Sequence, residues 1–489
     1  MTYFNALQRM VPFLLLCLPG SSIAAEFVQG TNFSLPAGPI YVVSADFNAD
    51  GKLDLATINL DANSVSILIG NGDGTFQPAV SYATQNVPVG LAVGDLNGDG
   101  KLDLAVTNES SRSVSIFLGN GDGSFQNSIN TPVPLNFPYG IALADLDGDG
   151  RLDAAVTNLE FANGQVLVML GKGDGTFLSP VTYPINASHS IAVVAADFNK
   201  DGHLDLAVTN NCDNKENCTA GHGTVTIFLG NGDGTFQFLA NPQAGYSTFS
   251  VVVTELNGDG NLDLAVCDEF NTGVMLGRGD GTFKPIITFK VTSDIITEVA
   301  VGDVNNDGIP DLIATDISSD AVQVMLGRSS GGLFNHQNDY YPAISSLAAS
   351  ALGDFNGDGL LDIVSVGGHA TGEGTVLLNT GGIAVATFSP TSLDFGNVKI
   401  DTKSQVLPVT LGNNGTGPMN VTKITIFGND GPRFRQSNTC TQPIPVGGGC
   451  TINVQFEPFQ TRKYTATLAV TDDALGMVQS IQVSGTGVP

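Results

Sequence analysis

Short apolar runs punctuate this chain, separated by clusters of Gly, Asn and Asp. Leu55-Ala56-Thr57-Ile58, Leu104-Ala105-Val106-Thr107 and Leu206-Ala207-Val208-Thr209 are typical. Between residues 26 and 382 no stretch carries helical periodicity, so strands are predicted throughout. Each run follows a nine-residue segment of the form D-x-N-x-D-G-x-x-D, beginning at Asp46, Asp95, Asp145, Asp197, Glu255, Asp303 and Asp354. The spacings are 49, 50, 52, 58, 48 and 51 residues. A second run and a Gly-Asp-Gly turn follow in most copies, as in Val114 to Leu118 and then Asn120-Gly121-Asp122-Gly123. One period thus holds about four short strands, and such units at this spacing predict a β-propeller, here with seven blades. The seventh copy stops after its third strand, at Leu377-Leu378-Asn379, while residues 26–36 echo the segment from Phe125 to Pro134. The N-terminal segment is therefore predicted to complete the last blade and cover its open edge.

The acidic segments carry the chemistry. Three short oxygen side chains alternate in each, which points them at one centre, and Gly at the sixth position permits a sharp turn. The seventh residue varies from Lys52 to His203 to Ile309, as suits a residue that offers only its carbonyl. The ninth is always Asp, placed to chelate. This is hard oxygen chemistry suited to Ca²⁺, which takes 6 to 8 oxygen ligands. No Cys or His sits in register for zinc. Composition agrees. The chain has 38 Asp against 9 Glu, and 22 of its 47 acidic residues lie in the seven segments. Seven divalent ions would move the formal charge from -28 to -14. The acidity also speaks against nucleic acid, which needs a basic footprint.

These repeats resemble the FG-GAP and VCBS repeats of integrin-α-like propellers. In that family the loop between the first and second strands of a blade holds Ca²⁺ through side chains at positions one, three, five and nine and a carbonyl at seven. The resemblance implies about seven structural ions. Carried over, the first set is Asp46, Asn48, Asp50, Lys52 and Asp54, and the second Asp95, Asn97, Asp99, Lys101 and Asp103. The third is Asp145, Asp147, Asp149, Arg151 and Asp153, and the fourth Asp197, Asn199, Asp201, His203 and Asp205. Glu255, Asn257, Asp259, Asn261 and Asp263 form the fifth, where the longer Glu arm is expected to weaken the site. Asp303, Asn305, Asp307, Ile309 and Asp311 form the sixth, and Asp354, Asn356, Asp358, Leu360 and Asp362 the seventh.

Beyond residue 384 the texture changes to about seven alternating strands, which predicts a β-sandwich. Phe388-Ser389-Pro390, Leu393-Asp394-Phe395-Gly396, Phe456-Glu457-Pro458 and Gly485-Thr486-Gly487 resemble abnormal-spindle/hydin-type immunoglobulin-like domains of bacterial surface proteins, which implies a spacer or docking role. The expected fold is thus all-β: a seven-bladed propeller over 26–382 followed by an immunoglobulin-like sandwich over 384–489. Residues 1–25 read as a signal peptide, with Arg9, an apolar run from Val11 to Leu18 and small residues to Ala25. Export is expected, and no later run is long enough to span a membrane. Export permits disulfides, and two local pairs suggest themselves, Cys212 with Cys218 and Cys440 with Cys450, leaving Cys267 as a buried thiol.

Sharper motifs are weighed against plainer ones. Arg278-Gly279-Asp280 is also one more copy of the Gly-Asp-Gly turn, and Gly327-Arg328-Ser329-Ser330-Gly331 lacks the strand-turn-helix setting of a nucleophile elbow. His189, His203, His222, His336 and His369 show no catalytic spacing, and there is no Trp to stack on sugars. In antiparallel blades the acidic loops and Gly-Asp-Gly turns share one face. The opposite face would carry the loop from Asn211 to His222, Phe161, Phe270 and Asp316. The expected role is non-catalytic binding or adhesion to an extracellular protein or glycan. A carbohydrate-active enzyme of the polysaccharide lyase type and a structural spacer are the alternatives.

Overall fold

The computed structural model describes residues 25–489 except 161–163, 213–221, 292–294, 329–332, 335–338, 369–370, 382–383, 416, 418, 420, 443, 446 and 473–477. The signal-peptide reading, Phe161, Cys218, His336, His369 and Ser329 to Gly331 therefore fall outside the described residues, apart from Ala25.

Seven sheets follow one plan. In the first, Pro39–Ala45, Asp54–Asn59, Ser64–Leu68 and Val80–Ala83 pair antiparallel in chain order. The first strand of each sheet touches those of its two neighbours, from Pro39–Ala45 round to Leu347–Gly353 and back, so the ring closes. Second strands lie between adjacent sheets and are covered on both faces. Asp54–Asn59 is buried at every position. This explains why these strands read as unbroken runs of Leu, Ala, Val and Thr rather than as an alternation. The core sits between blades: Ile58, Val65 and Ile67 of the first sheet pack with Leu91, Val106 and Phe117 of the second.

The seventh sheet is closed by the N-terminus. Its order is Phe27–Leu35, Gly372–Asn379, Asp362–Gly367 and Leu347–Gly353. Phe27 lies opposite Asn379 and Leu35 opposite Gly372. The fourth sheet has a feature not read from the sequence, a short strand Gln243–Gly245 added beside Gly223–Gly230.

Among the described residues the C-terminal unit has eight strands rather than about seven, in two sheets of four. Phe434–Asn438 is one of them, and its Phe-Arg-Gln-Ser-Asn sequence has no apolar alternation to announce it. Val409, Ile452, Phe456, Tyr464 and Leu468 fill the space between the sheets. Cys440 and Cys450 are disulfide-bonded. Cys267 is a free buried thiol, raised in pKa by burial above all.

Candidate metal centres

The seven acidic loops all join a first strand to a second. Two residues in each take the left-handed backbone conformation. One is the sixth-position Gly, and the other is the fourth residue: Ala49, Gly98, Gly148, Lys200, Gly258, Asn306 and Gly357. This double curl turns the side chains at positions one, three and five inward. In the first loop Asp46 accepts from the N–H groups of Asp50 at 3.1 Å and Gly51 at 2.8 Å. Asn48 accepts from Asp50 N–H at 2.9 Å, and Asp50 from Lys52 N–H at 2.9 Å. The Asn48 amide also donates to Asp50 at 3.2 Å, as Asn199, Asn305 and Asn356 do in their loops. His203 at a seventh position is exposed, as its variability suggests.

The third loop differs because Asp147 stands where the others have Asn. No amide is there to donate. The carboxylates of Asp145, Asp147 and Asp149 come within 4.8 Å of one another. One oxygen of Asp145 is buried with no hydrogen-bond partner. An unpaired acceptor among facing anions is costly unless a cation joins it. The fifth loop departs in the other direction. Glu255 uses one oxygen for the N–H groups of Asn257 at 2.9 Å, Gly258 at 2.5 Å and Asp259 at 3.2 Å, and the Asn257 amide turns to Asp263.

The ninth residue has a structural task that the sequence does not reveal. In all seven loops its carboxylate is buried and ties two backbone segments together. Asp54 accepts from Phe47 N–H at 2.9 Å and Gly70 N–H at 2.8 Å. The same pair of bonds recurs at Asp103, Asp153, Asp205, Asp263, Asp311 and Asp362, all between 2.7 and 3.0 Å. One donor follows the first loop residue and the other ends the third strand. In the first blade a Cβ on Gly70 would lie 2.1 Å from the Leu53 carbonyl, so Gly is required there, whereas the seventh blade carries Asn379 at the matching position. Burial, opposed by the two N–H bonds, pushes Asp153 and Asp362 up to about 6 and Asp311 to about 7. Each oxygen keeps a second lone pair for a cation. Asp205→Ala would strand the N–H groups of Phe198 and Gly230. At about 1–3 kcal/mol per stranded donor, a loss of about 2–6 kcal/mol is expected from urea unfolding. A loss below about 1 kcal/mol would show the strap to be dispensable.

The Gly-Asp-Gly turns share the face of the acidic loops and bind them across blades. Gly123 N–H donates to the Phe47 carbonyl of the preceding blade at 3.2 Å, and Gly175, Gly281 and Gly74 make the matching bonds. Arg278-Gly279-Asp280 is one of these turns: Arg278 N–H donates to the Thr282 carbonyl and Asp280 accepts from Thr282 N–H, both at 2.9 Å.

The FG-GAP-like repeat family matches residues 46–106, 95–156, 157–208, 216–266, 256–314 and 303–365, well over half of the chain. This chain belongs to the FG-GAP-like repeat family. A HYDIN/CFA65/VesB-like Ig-like domain matches residues 384–486. No curated protein matches the sequence. Among solved structures, a lectin of Agrocybe aegerita described as recognising non-reducing terminal N-acetylglucosamine is 19% identical, with a TM-score of 0.43 over 62% of this chain and 80% of that one. The periplasmic gluconolactonase of Pseudomonas aeruginosa is 16% identical, with a TM-score of 0.46 over 63% and 86%. A PapD-like domain of human CEP192 is 17% identical, with a TM-score of 0.17 over 21% and 84%.

The other face of this FG-GAP-like ring is built differently. The first strands enclose a funnel of about 1050 Å³ that opens among the loops opposite the acidic ones. Phe137, Tyr246, Phe270 and Ile295 are exposed on those loops, and Tyr246 meets Phe270 edge-on at 5.2 Å. Asp316 ends the strand Asp311–Asp316 on this side, where it is buried and caps its own turn, accepting from Ser318 N–H at 3.1 Å and the Gln323 amide at 2.8 Å.

Proposed function

We propose that this protein is an exported, calcium-loaded propeller that binds a ligand without catalysis through the face opposite its acidic loops. The metal reading is carried by the third loop, where an orphaned oxygen of Asp145 faces two further carboxylates. Side chains at positions one, three, five and nine of each loop, with the seventh carbonyl, would hold the ion. Bound calcium would neutralise the loop carboxylates. The acidic loops and Gly-Asp-Gly turns are occupied with one another, which leaves the funnel and the exposed aromatics of the opposite loops for a partner. A disulfide in the C-terminal domain fits an oxidising compartment. No helix among the described residues is long and apolar enough to cross a membrane. The immunoglobulin-like domain fits a spacer or docking role beside such a surface.

The test begins with the metal. Elemental analysis after dialysis against millimolar Ca²⁺ is expected to give close to seven ions per chain, with the Glu255 loop the first to be empty. Two ions or fewer would sink the reading of the loops as a set. Screening the calcium-loaded protein on glycan and extracellular-protein arrays then tests the binding face. Turnover of a polysaccharide would favour an enzyme instead.

A further inference from the structure

Counting five residues back from the start of each acidic loop picks out one layer of the funnel: Tyr41, Gly90, Gly140, Ala192, Ser250, Glu298 and Ala349. All seven line the cavity. Five are small, which leaves the layer open. Tyr41 and Glu298 break the repeat, and in ring order they flank Ala349. We propose that this layer binds an organic ammonium group, with Glu298 as its counter-ion and Tyr41 beside it. The proposal deepens the reading of this face as the binding face and rests on it.

Glu298 has only one of its oxygens engaged. One oxygen accepts from Ser350 N–H at 3.0 Å, and the other has no hydrogen-bond partner among the described residues. Burial, partly opposed by that bond, pushes its carboxyl up to about 7. Tyr41 is raised by burial and by the Glu298 charge, so it remains a neutral phenol. Asp61, Glu109 and Asp320 add negative charge to the lining, which among the described residues contains no Lys, Arg or His. An anionic ligand is repelled by such a funnel. Calcium or magnesium takes six or more oxygens, and this layer offers one carboxylate among small neighbours. An alkylammonium fits better. Its stem can lie across the small residues of the layer while its head meets Glu298 and the Tyr41 ring. The volume is ample for a small ligand or one inserted side chain.

Calorimetric titration of the full-length calcium-loaded protein tests this. The probes are putrescine and the peptide acetyl-Gly-Lys-Gly-amide, with methyl glucoside and glutarate as neutral and anionic counterparts. The amines are expected to bind and the counterparts not. Glu298→Gln should weaken amine binding at least tenfold, while Asp401→Asn, which removes one exposed charge from the C-terminal domain, should leave it unchanged. Affinity should rise roughly tenfold from pH 6 to 8, following the ionised fraction of a carboxyl near 7. Tyr41 and Cys267, the titratable groups whose fields couple to Glu298, stay protonated over that range. Tighter binding of putrescine would identify a free amine as the ligand, and tighter binding of the peptide a basic side chain of a partner. Glu298→Gln should also melt at a higher temperature than the parent at pH 8, which verifies its fold. Absence of amine binding, or equal binding by Glu298→Gln, overturns the proposal. A positive array result without amine binding would overturn it and leave the binding face standing.

Discussion

Chelation is expected to lower the melting temperature of the propeller by more than ten degrees and to leave the C-terminal sandwich unchanged. A ligand bound only by the folded state stabilises by about 2.7 kcal/mol at one hundred times its dissociation constant. Extracellular calcium modules have constants of roughly 10⁻⁴–10⁻³ M, so about 10 mM Ca²⁺ reaches that ratio at the tighter end. Seven such sites on one closed ring would together contribute about 19 kcal/mol, more than the roughly 5–15 kcal/mol of an ordinary domain. The ring transmits the effect because each acidic loop is bonded to a turn of another blade or strapped by its ninth Asp to its own third strand. The metal-free loops are not bare. Their Asp and Asn oxygens accept N–H groups of the same loop, so the apoprotein is expected to retain its strands at low temperature. No copy of the loop lies beyond Asp362, so the sandwich has nothing to lose. Hydrogen exchange on the intact chain, read by segment, separates the two. Protection should fall across 26–382 and hold across 384–489. An unchanged melt in excess chelator would reduce the loops to acidic turns.

The ring and its loops were legible because both are local. A nine-residue pattern at a fixed period sets strand order, loop face and blade number, and the truncated seventh copy with its N-terminal echo sets closure. What was not legible depends on contacts between distant residues. The strap from Asp205 joins Phe198, seven residues before it, to Gly230, twenty-five residues after it. Nothing in D-x-N-x-D-G-x-x-D distinguishes a ligand from a strap at position nine. The open layer in the funnel hides inside apolar first strands, where Gly90 or Ala192 reads as an unremarked small residue. Its meaning appears only when seven strands are brought side by side. Aligning the repeats upstream of the loops, rather than on the loops alone, would have exposed Tyr41 and Glu298 as the two that differ. The Cys212–Cys218 pairing lies outside the described residues because Cys218 does.

Deletion of residues 26–36 is expected to lower the melting temperature by about ten degrees or more and to cause association. The strand Phe27–Leu35 supplies the outer edge of the seventh sheet and pairs along most of Gly372–Asn379. Phe27 and Leu35 are buried, at about 1.5–3 kcal/mol each. Phe27 meets Tyr341 edge-on at 5.0 Å, and Phe33 meets Phe76 at 5.3 Å, so the segment also holds the sixth and first blades. The Glu26 carbonyl accepts from Thr380 N–H and hydroxyl, both at 2.8 Å. A loss of roughly 5 kcal/mol follows from the side chains alone. The bared strand Gly372–Asn379 would present unpaired N–H and C=O groups to another molecule. Light scattering should therefore show dimers or larger species that the parent lacks. A synthetic peptide of residues 26–36, added in trans, should restore both the monomer and the melt by rejoining the sheet as a strand. A truncated chain that stays monomeric and melts within a degree or two of the parent would mean that the ring holds without its N-terminal strand.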